Sequence, residues 1–234
     1  MATQSTQSFP PAPLEPVVAP VPPLETGDVL TRPQFERRYE AMPWLKKAEL
    51  VDGVVYVGSP VSDLHAGADS NLSGVLFTFA ANTPGTGFRP NATVRFDLEN
   101  EVQPDALLRI VTGGQSRVEK YIEGPPELVA EVATSSVSRD LHSKLALYRR
   151  HGVREYIVWR TLERDIDWFR LNEGNYERLA ADEHGIVRSQ EFPGLWLDRP
   201  ALLRGDTTAA LATLNAGLAS PEHAAFVAQL AARK

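Results

Sequence analysis

The chain has 234 residues and a mass of 25.7 kDa, with 43% hydrophobic and 23% charged residues, which suits one packed domain with extensions and excludes a fibrous or wholly disordered architecture. It has no cysteine, so disulfides, thiolate metal sites and cysteine nucleophiles are excluded, and any metal must be held by oxygen or histidine. A net charge of −6 argues against a uniformly basic nucleic-acid-binding surface, although the stretch from Arg139 to Arg170 holds eight Lys/Arg against five Asp/Glu. Residues 1–26 contain seven prolines and no periodic apolar face, so an extended arm or tail is expected there, with folded structure starting at Thr31. No basic, apolar leader and no apolar run of bilayer-crossing length is present, so a cytoplasmic protein without membrane association is expected. Thr31, with Gln34 three residues later, fits a capping box for a short helix carrying Phe35 and Tyr39. "AELVDGVVYVG" spells a hairpin that turns at Asp52 and Gly53. Leu64, Ala68, Leu72, Val75 and Phe79 recur at helical spacing and predict a helix over residues 61–80. Strands are expected at residues 93–98, 105–111 and 128–133, followed by a helix over residues 138–151 that stops at Gly152. "EYIVWR", "DIDWFRL" and "NYERLA" predict a meander with Gly174 in a turn, and Ser220-Pro221 opens a last amphipathic helix. The order β-β-α-β-β-β-α-β-β-β indicates an α+β fold with a mixed β-sheet flanked by helices.

Chemistry concentrates around Glu131. Strand alternation puts Val129, Glu131 and Ala133 on one face and Leu128, Ala130 and Val132 on the other, so a carboxylate sits in a run with no polar face. Such a group needs a cation, a metal or a proton. Asp105 follows Pro104 at the mouth of the preceding strand, and antiparallel pairing of the two strands would set Asp105 beside Glu131. Two carboxylates that close share a proton or jointly hold a divalent ion, and oxygen-only ligation suits Mg²⁺ or Mn²⁺. Lys144 is the candidate cation. Its axial rise from the helix start is about 9 Å, against roughly 7 Å of strand from Glu131 to Ala133, and lysine stems lean towards the helix N-terminus.

Blander readings stand beside these. Asp105 fits a strand-start acid bonded to turn amides, Glu131 fits a structural ion pair with Arg109 or Arg95, and Lys144 fits a pair with Asp140 on its own helix. His65 lies four residues before Asp69, which fits either an ordinary helix surface or a substrate contact. Tyr148 and Tyr156 read as core residues with polar tips, and Ser135, Ser136 and Ser138 as turn and cap residues. No phosphate-binding glycine loop is present in the sequence.

"QPD" at residues 103–105, "ELVAEVATSS", "RDLHSKLALYRRHGVREYIVW" and the preceding "AELVDGVVY" together resemble the Uma-two restriction endonuclease family of the PD-(D/E)xK nuclease superfamily. The resemblance runs from Thr31 to Leu203. It implies a restriction-endonuclease-like fold, Asp105 and Glu131 as ligands of Mg²⁺ or Mn²⁺, Lys144 as the relocated lysine of the superfamily motif, and Glu49 as an additional acidic ligand. Ala133 stands where the superfamily's E-x-K motif has its lysine. The expected organisation is an arm at residues 1–26, an endonuclease-like domain at 27–203 and a C-terminal helical extension at 204–234. The expected function is metal-dependent phosphodiester hydrolysis in nucleic acid, DNA first, with a homodimer as the assembly. The rival readings are a catalytically inactive nuclease-fold module that binds nucleic acid or protein, and a hydrolase of smaller phosphodiesters.

Overall fold

The computed structural model describes residues 21–233, so most of the proline-rich arm expected from the sequence lies outside the described residues. Leu24 is buried against Phe35, Ala48, Leu50 and Val55, and the Gly27 N–H donates to the Val55 carbonyl at 2.9 Å. Packing therefore reaches back past Thr31. Helix α1 (Arg32–Glu40) opens on the expected box, with the Thr31 N–H donating to the Gln34 side chain at 2.9 Å. Strands β1 (Ala48–Val51) and β2 (Val54–Val57) form the hairpin, and its turn residues Asp52 and Gly53 have φ of 51° and 75°. Positive φ at both positions is what a twist-matched two-residue turn requires.

Helix α2 (Asp63–Ala81) is capped by the Ser62 side chain and buries Leu72, Val75, Leu76 and Phe79. After it come β3 (Thr86–Pro90), β4 (Val94–Arg95), β5 (Glu101–Val102) and β6 (Ala106–Ile110). Next are β7 (Arg117–Val118), β8 (Ile122–Glu123) and β9 (Leu128–Ala133). The expected single helix after β9 is a composite: α3 (Val137–Arg139), a π-helical segment (Asp140–Lys144) and α4 (Leu145–His151), closed by Gly152 at φ 81°. The meander follows as β10 (Glu155–Arg160), β11 (Asp165–Asn172) and β12 (Asn175–Arg178), with β13 (Ile186–Arg188) and β14 (Trp196–Asp198) as a small ribbon. Helices α5 (Arg199–Arg204), α6 (Thr207–Leu218) and α7 (Pro221–Ala231) close the described chain.

One six-stranded sheet has the order β2-β1-β5-β4-β8-β7 and the other β12-β11-β10-β9-β6-β3, in which only β9 and β10 run parallel. The α+β architecture with mixed sheets flanked by helices is thus the one expected. Strand β3 was not legible because it contains Gly87 and Pro90, and a sheet edge, where β3 pairs only with β6, is where proline is tolerated. The strand expected at residues 93–98 shrinks to Val94–Arg95, because the chain turns back at once through the Phe96 N–H to Asn100 carbonyl bond of 3.0 Å.

Both faces of β9 are buried. Leu128, Ala130 and Val132 pack under α2, α6 and α7 with Leu76, Phe79, Leu214 and Phe226, while Val129 and Ala133 face Leu147, Tyr148 and Tyr156. The C-terminal helices are tied to α2 by Thr207 Oγ1 donating to Asn71 Oδ1 (2.9 Å), and to the turn just after α2 by Thr83 Oγ1 against His223 Nε2 (2.9 Å).

The π segment has a specific support. A π turn departs from the regular helix bonding ladder, and the buried Tyr156 hydroxyl donates to the Asp140 carbonyl at 3.0 Å. Tyr156→Phe should therefore destabilise the protein by about 0.5–1.5 kcal/mol, the net worth of one buried hydrogen bond to a carbonyl that the π turn itself also engages. Equilibrium urea unfolding measures this, and an unchanged midpoint would show that the tyrosine hydroxyl does not support the π segment.

Candidate active site

β1, β6, β9 and the composite helix converge at a cleft of about 820 Å³, lined by Lys47, Glu49, His65, Asp69, Asp105 and Arg139 among others. The register Ala106↔Ala130 between antiparallel β6 and β9 brings Asp105, just before β6, alongside Glu131. Asp105 is held from two sides: its Oδ2 accepts the Val132 N–H at 2.8 Å and its Oδ1 accepts Lys47 Nζ at 2.9 Å. His65 Nε2 stands 3.8 Å from Oδ2, placed by the first turn of α2.

Behind the cleft lies a buried ionic knot. Lys144, 1% exposed, donates at 2.8 Å to Glu131 Oε1 and at 2.8 Å to Glu49 Oε1, with Asp140 Oδ1 3.9 Å away. Glu131 Oε1 also accepts the Tyr148 hydroxyl at 2.8 Å, and Glu49 Oε1 accepts the Gln103 N–H at 2.9 Å. Lys144 thus joins a glutamate of the first sheet to one of the second. The alternative partners go elsewhere: Arg109 donates to Ser116, and Arg95 pairs with Glu36, Glu101 and Glu123. Asp140 lies beside Lys144 and also accepts the Ser136 hydroxyl.

Four carboxylates, Glu49, Asp105, Glu131 and Asp140, meet three cations, Lys47, Lys144 and Arg139, in this region. The imbalance falls on Glu131. Burial pushes its carboxyl up to about 8, and Asp105, Glu49 and Asp140 add to the rise against the pull of Lys144. Burial also acts on Glu49, but Lys144 and Lys47 outweigh it and hold that carboxyl down to about 2. The Lys144 ammonium stays protonated, because Glu131, Glu49 and Asp140 more than offset its burial.

Among the described residues no three His, Asp or Glu side chains form a ready cage for an ion. Mg²⁺ commonly binds through one or two carboxylates, completing its shell with water and substrate phosphate. Asp105 Oδ1 and Glu131 Oε2 suit that arrangement: they are hard oxygens facing each other across neighbouring β6 and β9, and Oε2 has no hydrogen-bond partner among the described residues. A carboxyl driven towards neutrality by an excess of negative neighbours is also the kind that an added cation would ionise. Glu49 likewise keeps Oε2 without a hydrogen-bond partner among the described residues, 4.0 Å from Arg139, but its charge is already compensated by Lys144 and Lys47.

The structure therefore brings Glu49, Glu131 and Lys144 into direct contact, and places Asp105 and His65 at the cleft beside them. Two participants escaped the sequence reading. Lys47 lies two residues before Glu49, a period-two spacing that places both on one side of an extended strand and was available as a signal. Tyr148 was read as a core residue, and its hydroxyl contact with Glu131 needed the helix geometry.

Comparison with known proteins gives the family and the fold. No curated protein matches the chain. The structure resembles that of a "putative nuclease belonging to DUF820" from Anabaena variabilis ATCC 29413, with a TM-score of 0.53, 14% identity, and coverage of 68% of this chain and 90% of that one. Likeness at that identity establishes a shared nuclease-type fold. The family model Uma2, described as "Putative restriction endonuclease", matches residues 32–200, a span that holds every cleft residue described above. This protein belongs to the Uma2 family.

Proposed function

We propose that the protein is a Mg²⁺- or Mn²⁺-dependent endonuclease that hydrolyses phosphodiester bonds in DNA. The supporting observation is the buried Lys144 shared between Glu49 and Glu131, set against Asp105 at the cleft floor of a nuclease-type fold. Asp105 Oδ1 and Glu131 Oε2 would hold the ion. From it the site would draw Lewis acidity towards the scissile phosphoryl group and a more acidic water.

The chain's own groups do the rest. Two N–H groups of Lys144 are committed to the glutamates, and its third is the donor for a water or phosphoryl oxygen as negative charge develops there. Lys144 and Tyr148 together fix Glu131 Oε1, so the orientation of Oε2 is set before anything binds. Glu49 acts through Lys144 in this scheme, holding the ammonium in place. His65, beside Asp105, is proposed as a contact to a substrate phosphate. Cutting both strands of a duplex calls for two such sites, so a homodimer is the assembly proposed for duplex cleavage.

Asp105→Asn keeps an acceptor for the Val132 N–H while removing the charge. It should lower Mn²⁺-dependent plasmid nicking about 10²- to 10³-fold with the fold intact by circular dichroism. Nicking by this variant at the wild-type rate would refute the site assignment, and wild-type protein inert with every divalent ion would favour the non-catalytic binding module. A second expectation concerns pH in the ion-free protein. Glu131 titrates at about 8 when folded against an ordinary 4.5, so its stabilising contribution is complete below 4.5 and is lost as pH rises through about 8. In EDTA, Glu131→Gln should therefore gain melting temperature relative to wild type as pH rises across that window. Parallel profiles would show that Glu131 is ionised throughout.

A further inference from the structure

Lys47 differs from Lys144 in each respect that decides whether a lysine can move. Its side chain is 29% exposed against 1%, and its ammonium contacts the single carboxylate of Asp105, whereas Lys144 grips two glutamates. Its root is nonetheless pinned. The Lys47 carbonyl accepts the Gly58 N–H at 2.8 Å, and a Cβ at Gly58 would lie 3.1 Å from both the Lys47 carbonyl oxygen and its Cβ, so the main chain there is closely packed. Only the flexible four-carbon stem is free to swing.

The other side of the contact is fixed as well. Asp105 Oδ2 is bound to the Val132 N–H, so the carboxylate cannot readily turn to offer a different oxygen to the cleft. The oxygen left for a divalent ion is Oδ1, where the Lys47 ammonium already sits at 2.9 Å. Two cations competing for one oxygen repel each other, and the one on a flexible, partly solvated stem yields.

We propose that Lys47 is a displaceable counter-ion: its ammonium neutralises Asp105 in the ion-free protein, and a divalent ion turns it out into the cleft to hold a phosphate of the bound strand. The inference rests on the ion-dependent reading above. Once released, the ammonium is a compact charge rooted two residues from Glu49 on the cleft wall, and phosphate is the anion that a nuclease cleft presents to it. The lysine thus carries one positive charge between two negative partners, and the site is never left with a bare carboxylate.

The test uses full-length protein and two readouts other than cleavage. Calorimetric titration with MnCl₂ in the absence of DNA should give Lys47→Met an affinity about three- to tenfold tighter than wild type, the scale expected on removing a partly exposed competing ion pair. Lys47→Gln is run beside it, with melting curves for both, so that a folding defect in one variant does not decide the outcome. Binding of a short duplex is then followed against salt. With Ca²⁺ present, Lys47→Met should lower the slope of log K against log salt by about one, and without Ca²⁺ it should leave the slope unchanged. Unchanged or weaker Mn²⁺ affinity in both variants overturns the proposal, as does a slope change that is the same with and without the ion. If wild type binds Mn²⁺ and the variants bind it no better, only this inference falls. If none of the three proteins binds Mn²⁺, the ion-dependent reading falls with it.

Discussion

One ammonium group governs this molecule. Lys144 is deeply buried, and its two short bonds reach Glu49 in one sheet and Glu131 in the other. Withdrawing charged groups from water costs several kcal/mol per ion before any attraction is counted, and leaving one of them unpartnered costs about 3–5 kcal/mol. The relative position of the two sheets, the helix that carries the lysine and the cleft in front of it are thereby made interdependent. An apolar core would have held the layers together without that cost, so the expensive arrangement is most simply understood as a device that keeps charge concentrated at a chosen point.

The surroundings of the knot serve that point. Tyr148 fixes Glu131, Gln103 fixes Glu49, and Val132 fixes Asp105 through uncharged donors: two main-chain N–H groups and a phenol that burial keeps protonated. The π segment contributes in a different way. It carries Asp140 and Lys144 as its buried members, and a local widening of the helix of this kind is common where a side chain must be aimed.

Much of this was legible in the sequence because it follows from short-range rules. Alternation along residues 128–133 isolates Glu131 among apolar neighbours, Pro104 marks the strand start that delivers Asp105, and helix rise against strand rise brings Lys144 level with its partner. Asp52 and Gly53 announced the hairpin. What was missed depends on tertiary context. A strand containing Gly87 and Pro90 is acceptable only as an edge, which local pattern does not reveal, and strands of two or three residues are too short to show a period. The π turn leaves no periodic trace because the apolar spacing of an ordinary helix persists on either side of it. Lys47 precedes the carboxylates in the chain, and its only local mark is the period-two spacing from Glu49.

The family match stops at residue 200, but the packed interior does not. Ala210, Leu214, Phe226 and Leu230 complete the same cluster as Val75, Leu76 and Phe79, and His223 reaches across to Thr83. The last two helices are thus not an ornament on an older body: they roof an oily wall of α2 that would otherwise lie bare to water. Without them the same wall would need a different segment, a sister subunit, or smaller and more polar side chains along α2 to keep it from water.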